Sequence, residues 1–226
     1  MRTITQSYGM NAVEWVAYSQ ARDASPIHSA IRLGDVDALL RALAVDEDPD
    51  GLCTWSPLQQ VSFHGDRPEM ITYLLVAGAD VNRRTYYGLT ALHVAVNRGR
   101  VNCVAALLAA GASPSIHDYG RVTPVEDMST VGVPGCRRIL PMLLRAGSPD
   151  PRSNSNWLRN AYCPHNPESY RLLCRLLEKV AAAGSWAAYE RAHRARLARV
   201  FIPKLQQIPE EVIPTVIEFW AHTGYY

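Results

Sequence analysis

From residue 25 onward, apolar side chains recur at three- and four-residue spacings in short blocks, separated by polar turns containing Gly, Asp, Asn or Pro. That spacing places the apolar positions on one face of a helix. The clearest blocks fall in residues 88–111. Leu92, Ala95 and Val96 give one predicted helix its apolar stripe, and Val101, Val104, Leu107 and Leu108 give the next helix another. Thr90 stands where a hydroxyl can accept hydrogen bonds from first-turn amides. Gly99 and Gly111 stand where each helix must stop, because glycine takes the left-handed cap conformation without penalty. Ala95, Ala105 and Ala106 are expected to let helices approach closely.

The block repeats. Ser25 and Ser56, each followed by Pro, match Thr90 and the pair Thr123-Pro124, at nearly equal steps along the chain. Proline suits the first helical position, whose N–H has no intrahelical partner. One more step, equal to that from Thr90 to Thr123, reaches Asn156 and implies a degenerate fifth unit, with NWLRNA in the first-helix place and a helix over 167–183 in the second. Ser25 to Leu43 and Thr90 to Leu108, from the helix start to the last leucine of each pair, are stretches of equal length. Ser56 to Leu75 is longer by one and Thr123 to Leu144 by three, so insertions are expected near Arg67-Pro68 and around residues 131–135. The first connection is the shortest and reduces to the acidic turn VDEDPDG. One helix pair cannot bury both its faces, so the units must stack into a solenoid whose interfaces are the core.

GLTALHVAVNRG at 88–99, SPIHSA at 25–30 and MITYLLVAGADVN at 70–82 resemble the ankyrin repeat, whose pattern is G-x-T-P-L-H-x-A, a Gly turn, a second helix ending in LL, and G-A-D. The resemblance implies an all-α ankyrin-repeat solenoid: paired helices with β-hairpin-like finger loops, plus a C-terminal helical extension. The boundaries expected are a capping helix in 1–24, repeats at 25–55, 56–89, 90–122 and 123–155, the fifth unit at 156–184, and the extension at 185–226. It also implies that His28 and His93 are buried imidazoles hydrogen-bonded to helix-loop backbone rather than catalytic groups.

Ankyrin proteins usually hold partners with the fingers and the exposed side of the first helices. Here those places carry Arg83, Arg84, Tyr86 and Tyr87 in one finger, His117, Tyr119 and Arg121 in the next, and Phe63, His64, Asn97 and Arg98 at first-helix ends. Arg and Tyr combine area, planarity and hydrogen bonding, and so dominate many interfaces. The arginines match an acidic or phosphorylated partner segment. In the second finger the glycine, Gly120, is displaced by one residue from the family position. The function implied is non-enzymatic protein binding, by a monomer that needs no cofactor. Asn82 also looks like the hairpin asparagine that asparaginyl hydroxylases modify in ankyrin proteins, which would make the chain a substrate.

The ends differ from the repeats. A short helix over 10–22, with Val13, Val16 and Ala17 inward, is the expected N-terminal cap. Residues 185–204 place Trp186, Tyr189, His193, Leu197 and Val200/Phe201 at helical spacing, so this segment should pack along the last repeat. It also carries Arg191, Arg194, Arg196, Arg199 and Lys204 against Glu190 alone, the only strongly basic stretch of the chain. Most such runs are solvated helix faces; an anion or nucleic-acid patch is the alternative. A last helix is expected over 208–226. SYRLLCRLLEKV at 169–180 with that helix faintly resembles a SOCS box, which implies a cullin-type ubiquitin-ligase adaptor as a second function; Tyr170 and Glu178 depart from that pattern.

Composition narrows the chemistry further. The 226 residues carry a net charge of +2, which gives no general attraction to nucleic acid or anionic membrane. No stretch approaches the roughly 18 apolar residues of a membrane span. Five cysteines without a C-x-x-C pair speak for a reducing compartment, cytoplasm or nucleus. G-x-S-x-G, H-E-x-x-H, the P-loop and G-x-G-x-x-G are absent, and Cys163, His165 and Cys174 are spaced too irregularly for a metal set, so no enzyme is expected, and an uncharacterised enzyme in the C-terminal 75 residues is only the third reading. Cys103, between apolar helix positions, reads as a small hydrophobe.

Overall fold

A proline or hydroxyl residue opens most helices in the repeats, and the helix pairs follow the predicted period. The computed structural model describes residues 25–45, 48–50, 55–127, 135–150, 167–201 and 212. The capping helix expected in 1–24, residues 46, 47 and 51 of the acidic first turn, residues 131–134 of the second expected insertion, the NWLRNA segment, Cys163, His165, and all but Val212 of the last expected helix lie outside them. Among the described residues every regular element is a helix. The chain forms two compact units, residues 1–124 and 125–226.

The first unit contains three helix pairs: α1 (Pro26–Leu33) with α2 (Val36–Ala44), α3 (Pro57–His64) with α4 (Pro68–Val76), and α5 (Ala91–Asn97) with α6 (Val101–Ala109). First helices pack on first helices, α1 on α3 and α3 on α5, while α4 packs on both α2 and α6. The core lies between these rows, with Ile31, Leu39, Leu58, Met70, Leu74, Leu92, Val104 and Leu107 all buried. A single stripe is too narrow a description of α5. Residues 91–96 are all buried, so the helix is enclosed on every side. Conversely Ala105 is exposed and Ala106 half-buried, so of the three alanines only Ala95 sits in the core; the other two lie on the outer side of α6. Gly34, Gly99 and Gly111 take the left-handed conformation. The turn between α3 and α4 instead runs through an extended Gly65 (φ −159°), at the place where the extra residue of that repeat was expected.

Polar ties between neighbouring repeats recur with the same period. Arg67 donates to the Ile31 carbonyl, and Arg100, at the matching place in the next repeat, donates to the Phe63 carbonyl, both at 3.3 Å. Asp50 accepts from the Asp80 N–H, and Asn82 from the Ser113 N–H. Asp66 accepts from the Asn102 and Cys103 amides and so satisfies the otherwise orphaned N-terminus of α6. Cys103 is buried, as its apolar neighbours suggested; burial pushes its thiol pKa up to about 12, leaving an unreactive group whose sulfur contacts the Gly65 carbonyl.

A short helix, α7 (Pro124–Asp127), spans the boundary between the units. The second unit packs α8 (Cys136–Arg145) against α9 (Pro167–Ala182) and α10 (Trp186–Phe201), and α9 against α10. Ile139, Leu140, Leu143, Leu177, Trp186 and Tyr189 are buried there. On α10 the expected inward residues form an aromatic row. Trp186 lies 5.6 Å from Tyr189, which stacks on His193 at 5.8 Å. Glu190 joins α10 to α8 by accepting from Arg145 and, at 3.1 Å, from Arg194.

Candidate protein-binding face

Each finger is closed by its own backbone. Thr85 N–H donates to the Leu89 carbonyl in the first, and Asp118 N–H to the Val122 carbonyl in the second. The side chain opening each hairpin then accepts from the residue four on: Thr85 Oγ1 from Leu89 N–H at 3.1 Å, Asp118 Oδ1 from Val122 N–H at 2.7 Å. The fingers also join each other. Tyr119 N–H donates to the Tyr87 carbonyl, and Arg84 donates to both its own Gly88 carbonyl and the His117 carbonyl. The Arg84 guanidinium lies 5.2 Å from the centre of the Tyr119 ring, within cation–π range.

This geometry divides the finger residues singled out in the sequence. Arg84 is occupied with holding the two fingers together. Arg83 pairs with Asp50 at 3.6 Å, and half-buried Tyr87 packs on the buried cluster of Trp55 and Val94. Tyr86 and Tyr119, at matching positions in successive fingers, stand 71% and 70% exposed. His117 and Arg121 are exposed beside them. Arg121 occupies the position matching Gly88 and is the one non-glycine residue with positive φ among the described residues, at 62° against 81° for Gly88. The one-residue displacement of Gly120 thus has a backbone consequence.

At the first-helix ends, Phe63 meets Trp55 edge-on at 5.6 Å and His64 at 5.2 Å, and Arg98 lies 4.0 Å above the Phe63 ring. Phe63, His64, Asn97 and Arg98 are all half-buried. Phe63, packed with Tyr87 on Trp55 and Val94 and covered by Arg98, thus forms an aromatic and guanidinium base, while Tyr86 and Tyr119 protrude. Trp55 was not anticipated as part of this base. Its position immediately before the Ser-Pro helix start was the available signal.

Beneath the fingers, the helix starts carry the polar joins. Thr90 N–H donates to His93 Nδ1 at 3.1 Å, so Nδ1 carries the lone pair and Nε2 carries the proton that it gives to the Val122 carbonyl at 3.2 Å. Burial, chiefly, lowers the His93 pKa from 6.5 to about 4, against the hydrogen bond to the Val122 carbonyl and the charge of Asp118 and with help from the charges of Arg84 and His117. The imidazole is structural, as the resemblance implied. His28 is buried at the matching position of the first repeat. In the second repeat Gln59, which the sequence reading passed over, holds that place. Its Oε1 accepts from Ser56 N–H, and its Nε2 donates to the Arg83 and Leu89 carbonyls. Asn82, half-buried, has its amide oxygen engaged by Ser113.

The family model described as Ankyrin repeats (3 copies) matches residues 27–118, the span of the three helix pairs and their fingers. The protein carries ankyrin repeats. Inversin of dog is 31% identical over 177 residues, which is 74% of this chain and 16% of the relative. The human protein named Ankyrin repeat and SOCS box protein 2 is 30% identical over 108 residues, 46% of this chain and 16% of the relative. Glycerophosphocholine phosphodiesterase gde1 of Schizosaccharomyces pombe is 32% identical over 139 residues, 59% of this chain and 12% of the relative. The chain thus spans about one sixth or less of these relatives. Ankyrin repeats are generally protein-interaction modules without catalysis of their own. Among the described residues, no group of His, Cys, Asp and Glu could hold a metal, and no helix is long and apolar enough to cross a membrane.

Proposed function

We propose that this chain is a non-enzymatic binding module that grips a protein partner with its two joined fingers. Tyr86 and Tyr119 are the principal contacts, His117 and Arg121 lie beside them, and Phe63, His64, Asn97 and Arg98 form the base. The observation that carries this reading is the pair of phenols at equivalent positions, each about 70% exposed, on hairpins joined by backbone and guanidinium hydrogen bonds. Exposed aromatic side chains on a pre-organised support lose little freedom on binding, which is how such residues become hot spots. Arg121 and the partly exposed Arg83 favour an acidic or phosphorylated segment.

The test is affinity capture from a cell extract with the intact chain and with the Tyr86→Ala/Tyr119→Ala double variant, after circular dichroism shows equal helicity. The expected result is one set of proteins retained by the intact chain and lost by the variant; identical sets overturn the choice of face. The adaptor reading, which rests on the faint SOCS-box resemblance and the named human relative, is read from the same experiment. It requires cullin-adaptor subunits in both captures and their loss on deleting residues 169–226.

A further inference from the structure

The basic stretch of α10 plays no part in the finger site. Of its four arginines, Arg194 shares Glu190 with Arg145, so the single acid of the helix is already neutralised by two guanidinium groups. Arg191, Arg196 and Arg199 are exposed, and so are Arg175 and Lys179 on the neighbouring α9. None of these five forms an ion pair with a described residue, and on α9 the exposed acid near them is Glu178. Arg196 on α10 and Lys179 on α9 both act electrostatically on His193, so both cations lie within reach of the same buried ring. The asymmetry extends over the unit: residues 125–226 carry 13 basic and nine acidic side chains, while residues 1–124 carry 10 and 12.

We propose that the exposed face of α9 and α10 docks an acidic protein segment, one bearing a run of Asp or Glu carboxylates. Four of the five unpaired cations are arginines, whose planar forks match carboxylates with two hydrogen bonds each. Ala192 and Ala195, also exposed, keep the surface between the arginines shallow, so an extended chain can lie close to the helix. From Arg191 to Arg199 the helix rises about 12 Å, the length of about four residues of extended chain. That span matches a short carboxylate run. A nucleic-acid duplex is a poorer match, because its binders commonly neutralise about 6–10 phosphates. Among the residues of α10 whose burial is described, no aromatic side chain is exposed on which unpaired bases could stack.

The experiment is fluorescence anisotropy with the whole chain and a fluorescein-labelled oligoglutamate peptide, at low and at physiological salt, with oligoglutamine and a DNA duplex as competing probes. Saturable binding to oligoglutamate that weakens with salt is expected. The Arg191→Ala/Arg196→Ala/Arg199→Ala variant should bind about tenfold more weakly, the sum of three modest exposed pairs. The corresponding triple Lys variant should keep most of the affinity, and Arg41→Ala, which removes an exposed arginine from α2, should bind like the intact chain. If circular dichroism shows the triple Ala variant unfolded, the single exposed change Arg199→Glu is measured instead, with about a threefold loss expected. The proposal is overturned if the intact chain does not bind oligoglutamate at low salt, if oligoglutamine binds equally, or if the triple Ala variant, or Arg199→Glu in its place, binds unchanged. Tighter binding to the duplex than to oligoglutamate at the same salt also overturns it and assigns the face to nucleic acid.

Discussion

The second and third repeats build the same join from different side chains. Ser56 and Gln59 make one capping box, Thr90 and His93 the other. In each, the third residue of the helix caps its own start and then donates to the backbone of the following finger: Gln59 to Arg83 and Leu89, His93 to Val122. The neighbouring position separates them further. Val94 fills its place with an apolar group, whereas Gln60 is 0% exposed and its amide has no hydrogen-bond partner among the described residues. The repeat therefore specifies a geometric task, a buried donor aimed at the next finger, and leaves the chemistry of the donor open. The donor's chemistry decides whether the join senses pH.

The largest expected effect comes from removing the join. His93→Ala strands the buried Thr90 N–H, takes from the Val122 carbonyl one of its two donors and leaves a cavity, at a cost of about 3 kcal/mol in urea unfolding. Gln59→Ala should cost a similar amount, because it strands the buried Ser56 N–H and the Arg83 carbonyl and takes from the Leu89 carbonyl one of its two donors. If either change costs less than about 1 kcal/mol, the joins are not what holds the fingers to the stack.

Acid should then distinguish the two repeats. The folded pKa of His93, about 4, lies below its unfolded value of 6.5, so between these values the unfolded chain binds the extra proton. The stability contributed by neutral His93 is complete above pH 6.5 and is lost as pH falls toward 4, by an amount on the order of 3 kcal/mol. His193, also lowered by burial, acts in the same direction, so the difference between the intact chain and His93→Gln isolates the one group. With glutamine in both joins, stability should fall less steeply between pH 6.5 and 4; parallel curves would falsify the assignment.

The parts of this arrangement that were legible in the sequence are those that depend on local spacing. The regular step between repeats, the Ser/Thr-Pro starts, the glycine stops and the buried place of His93 could all be read from one repeat compared with the next. Gln59 was legible in principle, since it follows Ser56-Pro57-Leu58 where the pattern has His, but only if the place is read as a donor rather than as an imidazole. The fate of Arg84 was not legible. Whether a finger arginine faces a partner or the next finger depends on how far apart successive hairpins stand. Stacking sets that distance, and it brings the guanidinium to the His117 carbonyl at 2.7 Å. The same holds for Asp66, which caps α6 from the turn of the preceding repeat.

A smaller effect should sharpen the contrast at the next position. Gln60→Leu removes a buried amide that makes no hydrogen bond and keeps nearly the same volume, so the chain should gain about 1–2 kcal/mol in stability. Val94→Gln, which introduces such an amide into the third repeat, should lose a comparable amount. Urea unfolding of both variants checks the pair, and a loss on Gln60→Leu would mean that the amide has a partner in solution.

The smallest effect lies in the fingers, where Gly88 and Arg121 hold the same left-handed turn. Gly88 cannot be replaced without strain, because a Cβ there would stand 2.9 Å from the Tyr119 amide nitrogen. Arg121 has a side chain in a conformation that L-residues resist by about 1–2 kcal/mol, part of which glycine would return as extra freedom in the unfolded chain. Arg121→Gly should therefore raise stability by only about 0.5 kcal/mol, readable as a small upward shift in thermal midpoint. If the second finger touches the partner as proposed, the same change should weaken capture, because it removes an exposed guanidinium beside Tyr119. Stability and binding moving in opposite directions would mark Arg121 as a residue held in a strained backbone for the sake of a contact. Stability rising with capture unchanged would make it a tolerated misfit, and would leave Tyr86 and Tyr119 to carry the binding.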